Sequence, residues 1–120
     1  MKIEELRIGN YVNYFENDTI FKVIQIESNG LEVKNDKELT WIETESFEGV
    51  PITEEWMLKF GFEKNHKHGI ENYVFNNFTY YPSNKQVKIY DRFGGSLYVE
   101  NIEFVHQLQN LYFTVNQKEL

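Results

Sequence analysis

Thr19–Lys34 reads TIFKVIQIESNGLEVK, two strands and the turn between them. Thr19–Ile26 is rich in β-branched and aromatic residues, whose side chains suit a pleated, half-buried surface. In Leu31–Lys34 the apolar Leu31 and Val33 alternate with Glu32 and Lys34, one dry face and one wet. Asn29-Gly30 predicts a tight hairpin turn with positive φ at both central residues. Upstream, Asn10–Phe15 is a further strand across the polar turn Glu16-Asn17-Asp18. Downstream, Asn35-Asp36-Lys37 turns the chain into Leu39–Ile42. Four or five short antiparallel strands with tight turns predict a small barrel. Its opening, Leu6-Arg7-Ile8-Gly9-Asn10-Tyr11-Val12, looks like the entry to an SH3-like one.

Residues 43–52 form an acidic connection. Thr53 is a good N-cap, Glu54 and Glu55 suit the positive end of a helix dipole, and Gly61 supplies a left-handed stop. A short helix over Glu54–Phe60 follows. Tyr73–Phe75, Phe78–Tyr81, Gln86–Tyr90 and Leu97–Glu100, separated by Asn, Pro, Ser and Gly turns, predict an antiparallel meander. The last element is a helix over about Glu103–Val115, with Asn116 as its left-handed end. The expected class is α+β: an N-terminal SH3-like small β-barrel or sheet fused to a helix–antiparallel meander–helix unit. One domain spans residues 1–120, with sub-parts 1–50 and 51–120 sharing one core.

The 120 residues hold no cysteine and 20 aromatics. The first fact removes disulfides, cysteine-ligated metals and thiol nucleophiles. The second is too many aromatics for disorder. Met1–Leu6 has no apolar leader core and no run reaches membrane-spanning length, so the expected location is cytoplasmic. The triplets at Asn17 and Asn77 therefore carry no glycosylation argument. Residues 1–60 hold 6 Lys/Arg against 13 Asp/Glu, whereas 61–120 hold 6 against 6. Seven acids and one base lie within 36–55. Such a field opposes phosphate backbones and favours a basic partner, although a merely solubilising face has the same composition.

On a helical wheel, Val105 shares a sector with Phe104, Leu108, Leu111, Tyr112 and Val115, the expected core stripe. His106, Gln109, Asn110 and Phe113 fall elsewhere. An off-stripe Phe ringed by polar side chains is one way to build a recognition face. A helix buried on both sides, its amides satisfied internally, is the other way to read it. The expected partner-binding residues are Glu43, Glu45, Glu48, His106, Gln109, Asn110 and Phe113. No catalytic set, metal or cofactor is expected. His66-Lys67-His68 resembles a hairpin tip more than a ligand pair, and Gly94-Gly95 lacks the Lys and helix of a phosphate loop. The alternative is an RNA- or DNA-binding accessory protein using Tyr80, Lys85, Lys88, Tyr90 and Arg92 for stacking and charge.

Val105–Phe113 (VHQLQNLYF) resembles the C-terminal signature of a group of small proteins from phages and mobile elements of bacteria. Asn116–Leu120 keeps the close of that signature, with Asn where Gly is usual. Leu6–Val12 and Pro51–Phe62 match as well, so the resemblance spans both ends and the middle of the chain. It implies a mobile-element context and no chemistry. By association, that context suggests a protein that binds and disables a host defence component, such as an anti-CRISPR.

Overall fold

A computed structural model describes residues 1–66 and 69–120. The chain is α+β, and the described residues form two five-stranded antiparallel sheets and two α-helices. It divides into two compact units, Met1–Pro51 with Phe104–Leu120, and Ile52–Glu103.

In the first unit β1 (Tyr11–Tyr14), β2 (Thr19–Glu27), β3 (Gly30–Lys34), β4 (Leu39–Glu43) and β5 (Phe47–Gly49) form a sheet ordered β4-β3-β2-β1-β5. Leu6, Val12, Phe21, Val23, Leu31, Val33, Ile42 and Phe47 make its core. The strand β2 bulges between Val23 and Gln25. The extra residue shifts the alternation by one, so Phe21 and Val23 before it and Ile26 after it all pack toward the core.

The hairpin between β2 and β3 forms, but its turn is Ser28-Asn29. Glu27 pairs with Gly30, and neither Asn29 nor Gly30 has positive φ. Gly30 is required for space instead. A Cβ there would lie 2.4 Å from the Trp41 ring and 2.5 Å from the Ile42 carbonyl oxygen. The short strand β5 lies inside the acidic connection. Only Phe47, which is buried and pairs with Tyr14, marks it in the sequence.

The helix α2 (Val105–Asn116) begins after Phe104, whose backbone N–H donates to Gln107 Oε1 at 3.0 Å. It ends one residue beyond expectation, because Gln117 takes the left-handed conformation and its N–H reaches the Phe113 carbonyl. The sequence groups this helix with the meander, whereas it belongs to the first unit. The Val105 N–H bonds the Val50 carbonyl at 2.8 Å and Phe104 bridges to Pro51. Gly49 leaves room for the Phe104 ring, which a Cβ would meet at 2.7 Å.

The second unit opens on α1 (Glu54–Lys59), capped by Thr53 Oγ1 accepting from the Trp56 N–H. Gly61, at φ +95, ends the turn. Then follow β6 (Glu63–Asn65), β7 (Asn72–Phe75), β8 (Phe78–Tyr81), β9 (Gln86–Tyr90) and β10 (Ser96–Val99), paired in chain order as a meander. Strict alternation sends Tyr73, Phe78, Tyr80, Val87 and Ile89 inward, and these are buried together with Met57, Phe62 and Ile102. No helix among the described residues is long and apolar enough to cross a membrane.

Candidate functional site

The structure separates the expected site residues into three groups. The first is the helix face. His106 and Gln109 are 1% and 2% exposed, so no partner can reach them without local unfolding. Gln109 Oε1 accepts the Tyr11 N–H at 3.0 Å, and its Nε2 donates to the Gly9 carbonyl at 3.0 Å. One side-chain amide thus pairs with the backbone as a neighbouring strand would. Asn110 Nδ2 donates to the Glu5 carbonyl, while its Oδ1 accepts from Asn10 and Arg7. Arg7 in turn pairs with Glu119 and lays its guanidinium 3.8 Å from the centre of the Phe113 ring. Phe113 is half-buried beneath it.

The expected recognition face is therefore largely an internal joint between the chain's two ends. The buried set Val105, His106, Leu108, Gln109 and Tyr112 lies rotated from the expected stripe, and Val115 is exposed. The polar side of α2 turns inward because Gly9–Tyr11 offers backbone groups that only side chains of this kind can satisfy. Val105–Phe113 and Leu6–Val12, the two terminal segments that carry the resemblance, are the partners in this joint. Their distinctive amides have a structural use in this chain.

His106 is stacked on Phe104, with the ring centres 5.9 Å apart, and neither ring nitrogen has a hydrogen-bond partner among the described residues. Glu5 Oε1 lies 3.5 Å from Nε2, close enough for its charge to be felt. Burial pushes the imidazole below its ordinary pKa of 6.5, and the Glu5 carboxylate only partly offsets this. Glu5 itself is held below the usual carboxylate value, first by the Lys2 N–H, which it accepts at 2.9 Å.

The depressed imidazole has a consequence for stability. Below about pH 6.5 the unfolded chain takes up a proton that the folded chain resists. Stability is therefore full above that pH and falls as pH drops toward the folded-state value. Glu5 adds a second loss below its ordinary value of 4.5. Urea melts from pH 8 to 5 should show the first loss in the wild type. They should show little of it in His106→Phe, which keeps a ring on Phe104 without a titratable group. An unchanged slope in that variant would clear His106 of the effect.

The acidic residues form the second group. Glu43, Glu45 and Glu48 are exposed on β4, on the following turn and on β5. Glu48 accepts from the Asn13 amide at 3.0 Å. None of the carboxylates from Asp36 to Glu48 has an ion-pair partner among the described residues. The first unit carries six Lys/Arg against twelve Asp/Glu, a net −6, and the second six against seven, a net −1. Glu54 and Glu55, the end of the acidic stretch, belong to the second unit.

The third group is the Tyr/Lys side of the meander, which divides. Tyr80 is buried and its hydroxyl donates to the Ile102 carbonyl at 2.9 Å, so it cannot stack a base. Lys85 pairs with Glu103 at 3.2 Å. Lys88, Tyr90 and Arg92 remain on the surface of the β9–β10 hairpin. Lys88 Nζ lies 4.7 Å from the Tyr90 ring centre and 5.5 Å from that of Tyr98, opposite it in register. Arg92 lies over Phe93. Contacts with Tyr90 and Tyr98 hold the Lys88 ammonium above the usual lysine value. Phe93, which no expected site includes, is 87% exposed. An aromatic beside Gly94-Gly95 is the signal that marks it, since glycines shape the turn and leave the ring nothing to cover it.

His66 is exposed, and Lys67 and His68 lie outside the described residues. Among the described residues no group of three or more His, Asp or Glu is placed to hold a metal ion. No protein-family model matches the chain, and neither a curated protein nor a solved structure is similar to it at a significant level.

Proposed function

We propose that the chain is a non-enzymatic protein-binding module of phage or mobile-element origin, acting in the bacterial cytoplasm on a basic, nucleic-acid-handling host protein. Inhibition of a defence component such as a CRISPR effector is its sharpest form. The observation that carries this reading is the net negative charge of the first unit, whose exposed Glu43, Glu45 and Glu48 form no ion pair among the described residues. Carboxylates not engaged in an internal ion pair keep their field for an incoming cation. The sheet order β4-β3-β2-β1-β5 and the bulge in β2 support reading this unit as an SH3-like barrel. In that reading, turns and strand ends present the acids.

The test is capture from bacterial lysate with and without nuclease, comparing the wild type with a variant carrying Glu43→Lys, Glu45→Lys and Glu48→Lys. Each reversal adds two charges, so the unit moves from −6 to zero. The expected result is a captured protein that survives nuclease and is lost with the variant. With that protein purified, association at low salt should slow by about tenfold or more while dissociation changes little. Capture that is indifferent to the reversals would remove the acidic face from the interaction.

A second reading, direct RNA or DNA binding, rests on the β9–β10 hairpin. Its two cations, Lys88 and Arg92, lie against aromatic rings, the combination that single-stranded nucleic acid uses. It is the weaker reading, because Tyr80 and Lys85 are already engaged. Capture that vanishes with nuclease would put it first.

A further inference from the structure

We propose that β10 is an open sheet edge at which two copies of this chain pair antiparallel, about a two-fold axis through Leu97. Sheet edges template association unless charge, proline or brevity blunts them. Three of the four edges here are blunted by charge: β4 ends in Glu43, β5 carries Glu48, and β6 carries Glu63 and Lys64 in three residues. The fourth, β10, is Ser96-Leu97-Tyr98-Val99, with no charge and no proline.

Its side chains are uncovered on both sides. Leu97 pairs with the buried Ile89 and so projects from the core face of the sheet, yet it is 62% exposed. Tyr98 projects from the other face and is 49% exposed. The backbone fixes the register. The Asp91 N–H bonds the Gly95 carbonyl, and the Tyr90 N–H is turned away to Asn77. Alternation then directs Leu97 and Val99 to β9 and leaves the peptide groups of Ser96 and Tyr98 pointing off the sheet. Antiparallel self-pairing that opposes Ser96 to Tyr98 of the other copy, and Tyr98 to its Ser96, satisfies all four of those groups in each copy. Leu97 then meets Leu97 at a non-hydrogen-bonded position, where side chains approach most closely.

Charge selects the same orientation and the same occupant. Arg92 precedes the strand and Glu100 follows it. Antiparallel pairing sets the Arg92 end of one copy beside the Glu100 end of the other, whereas parallel pairing would oppose like to like. The Asp91 side chain is held back in its own turn, where it accepts from the Phe93 and Gly95 amides. A ladder of four residues a side falls short of the ~800 Å² per partner of a standard interface. The dimer is therefore a reversible one.

The cysteine-free chain allows a direct test. Leu97→Cys places one thiol at the axis, where Cα atoms about 4.5 Å apart fall within disulfide reach. Ser83→Cys, on an exposed turn, measures random collision. At about 100 μM under mild oxidation, Leu97→Cys should cross-link at least tenfold faster than Ser83→Cys. Sedimentation of the wild type should show a monomer–dimer equilibrium that Tyr98→Lys shifts to monomer. The proposal is overturned by a wild type that stays monomeric at about 1 mM. It is equally overturned by Leu97→Cys cross-linking no faster than the control, or by a dimer that Tyr98→Lys leaves intact.

Discussion

Gln109→Ala is expected to lower the free energy of unfolding by about 2–4 kcal/mol, because it strands two polar backbone groups at once. The Tyr11 N–H and the Gly9 carbonyl are the partners of the Gln109 amide, and each buried group left unmatched costs about 1–3 kcal/mol. The amide orientation follows from the chemistry, since one end must accept from an N–H and the other must donate to a carbonyl. Gln109→Met separates hydrogen bonding from packing. It fills nearly the same length and can replace neither bond, so it should lose almost as much as alanine. Urea melts read the loss, and amide exchange at Tyr11 should accelerate in both variants. If methionine recovered most of the stability, volume rather than pairing would explain what Gln109 contributes to this joint.

The second large effect separates two residues that the helical wheel treats as opposites. Leu108 is fully buried, and Leu108→Ala should cost about 2–5 kcal/mol, the range for an emptied core site. Phe113 is only half-buried, and the Arg7 guanidinium lies 3.8 Å from its ring centre. Phe113→Ala should cost about 1–2 kcal/mol, a cation–π contact plus partial burial. Thermal melts of the pair should therefore differ clearly, with Leu108→Ala the earlier to unfold. Coincident melts would make Phe113 a full core residue. Arg7→Ala is expected to reproduce most of the Phe113→Ala loss, because the two share one contact.

Much of the fold was legible in the residues. The β-branched and aromatic runs of Thr19–Ile26 and Gln86–Tyr90, the polar breaks between strands, and Thr53 before Glu54-Glu55 report local backbone preference, which a short window contains. The absence of cysteine and the placement of the acids are likewise properties of composition. The strand β5 was not legible, since Phe47-Glu48-Gly49 has little strand propensity and is held by pairing with β1. Gly30 illustrates the same limit. Its reading as a turn residue follows local statistics, but the Trp41 ring beside it is the reason no larger residue fits.

Site residues divide along the same line. The composition of 36–55 is enough to make Glu43, Glu45 and Glu48 exposed carboxylates, because seven acids with one lysine among them cannot be buried in pairs. The fate of His106, Gln109, Asn110 and Phe113 rests on contacts made far away in the chain. Their helix presents polar groups off its apolar stripe, and a helical wheel cannot distinguish solvent from an unpaired backbone on that side. The partner for those groups lies about a hundred positions earlier, at Glu5–Tyr11. A contact so distant in sequence leaves no periodic trace, and it exists only once the two ends of the chain have been brought together.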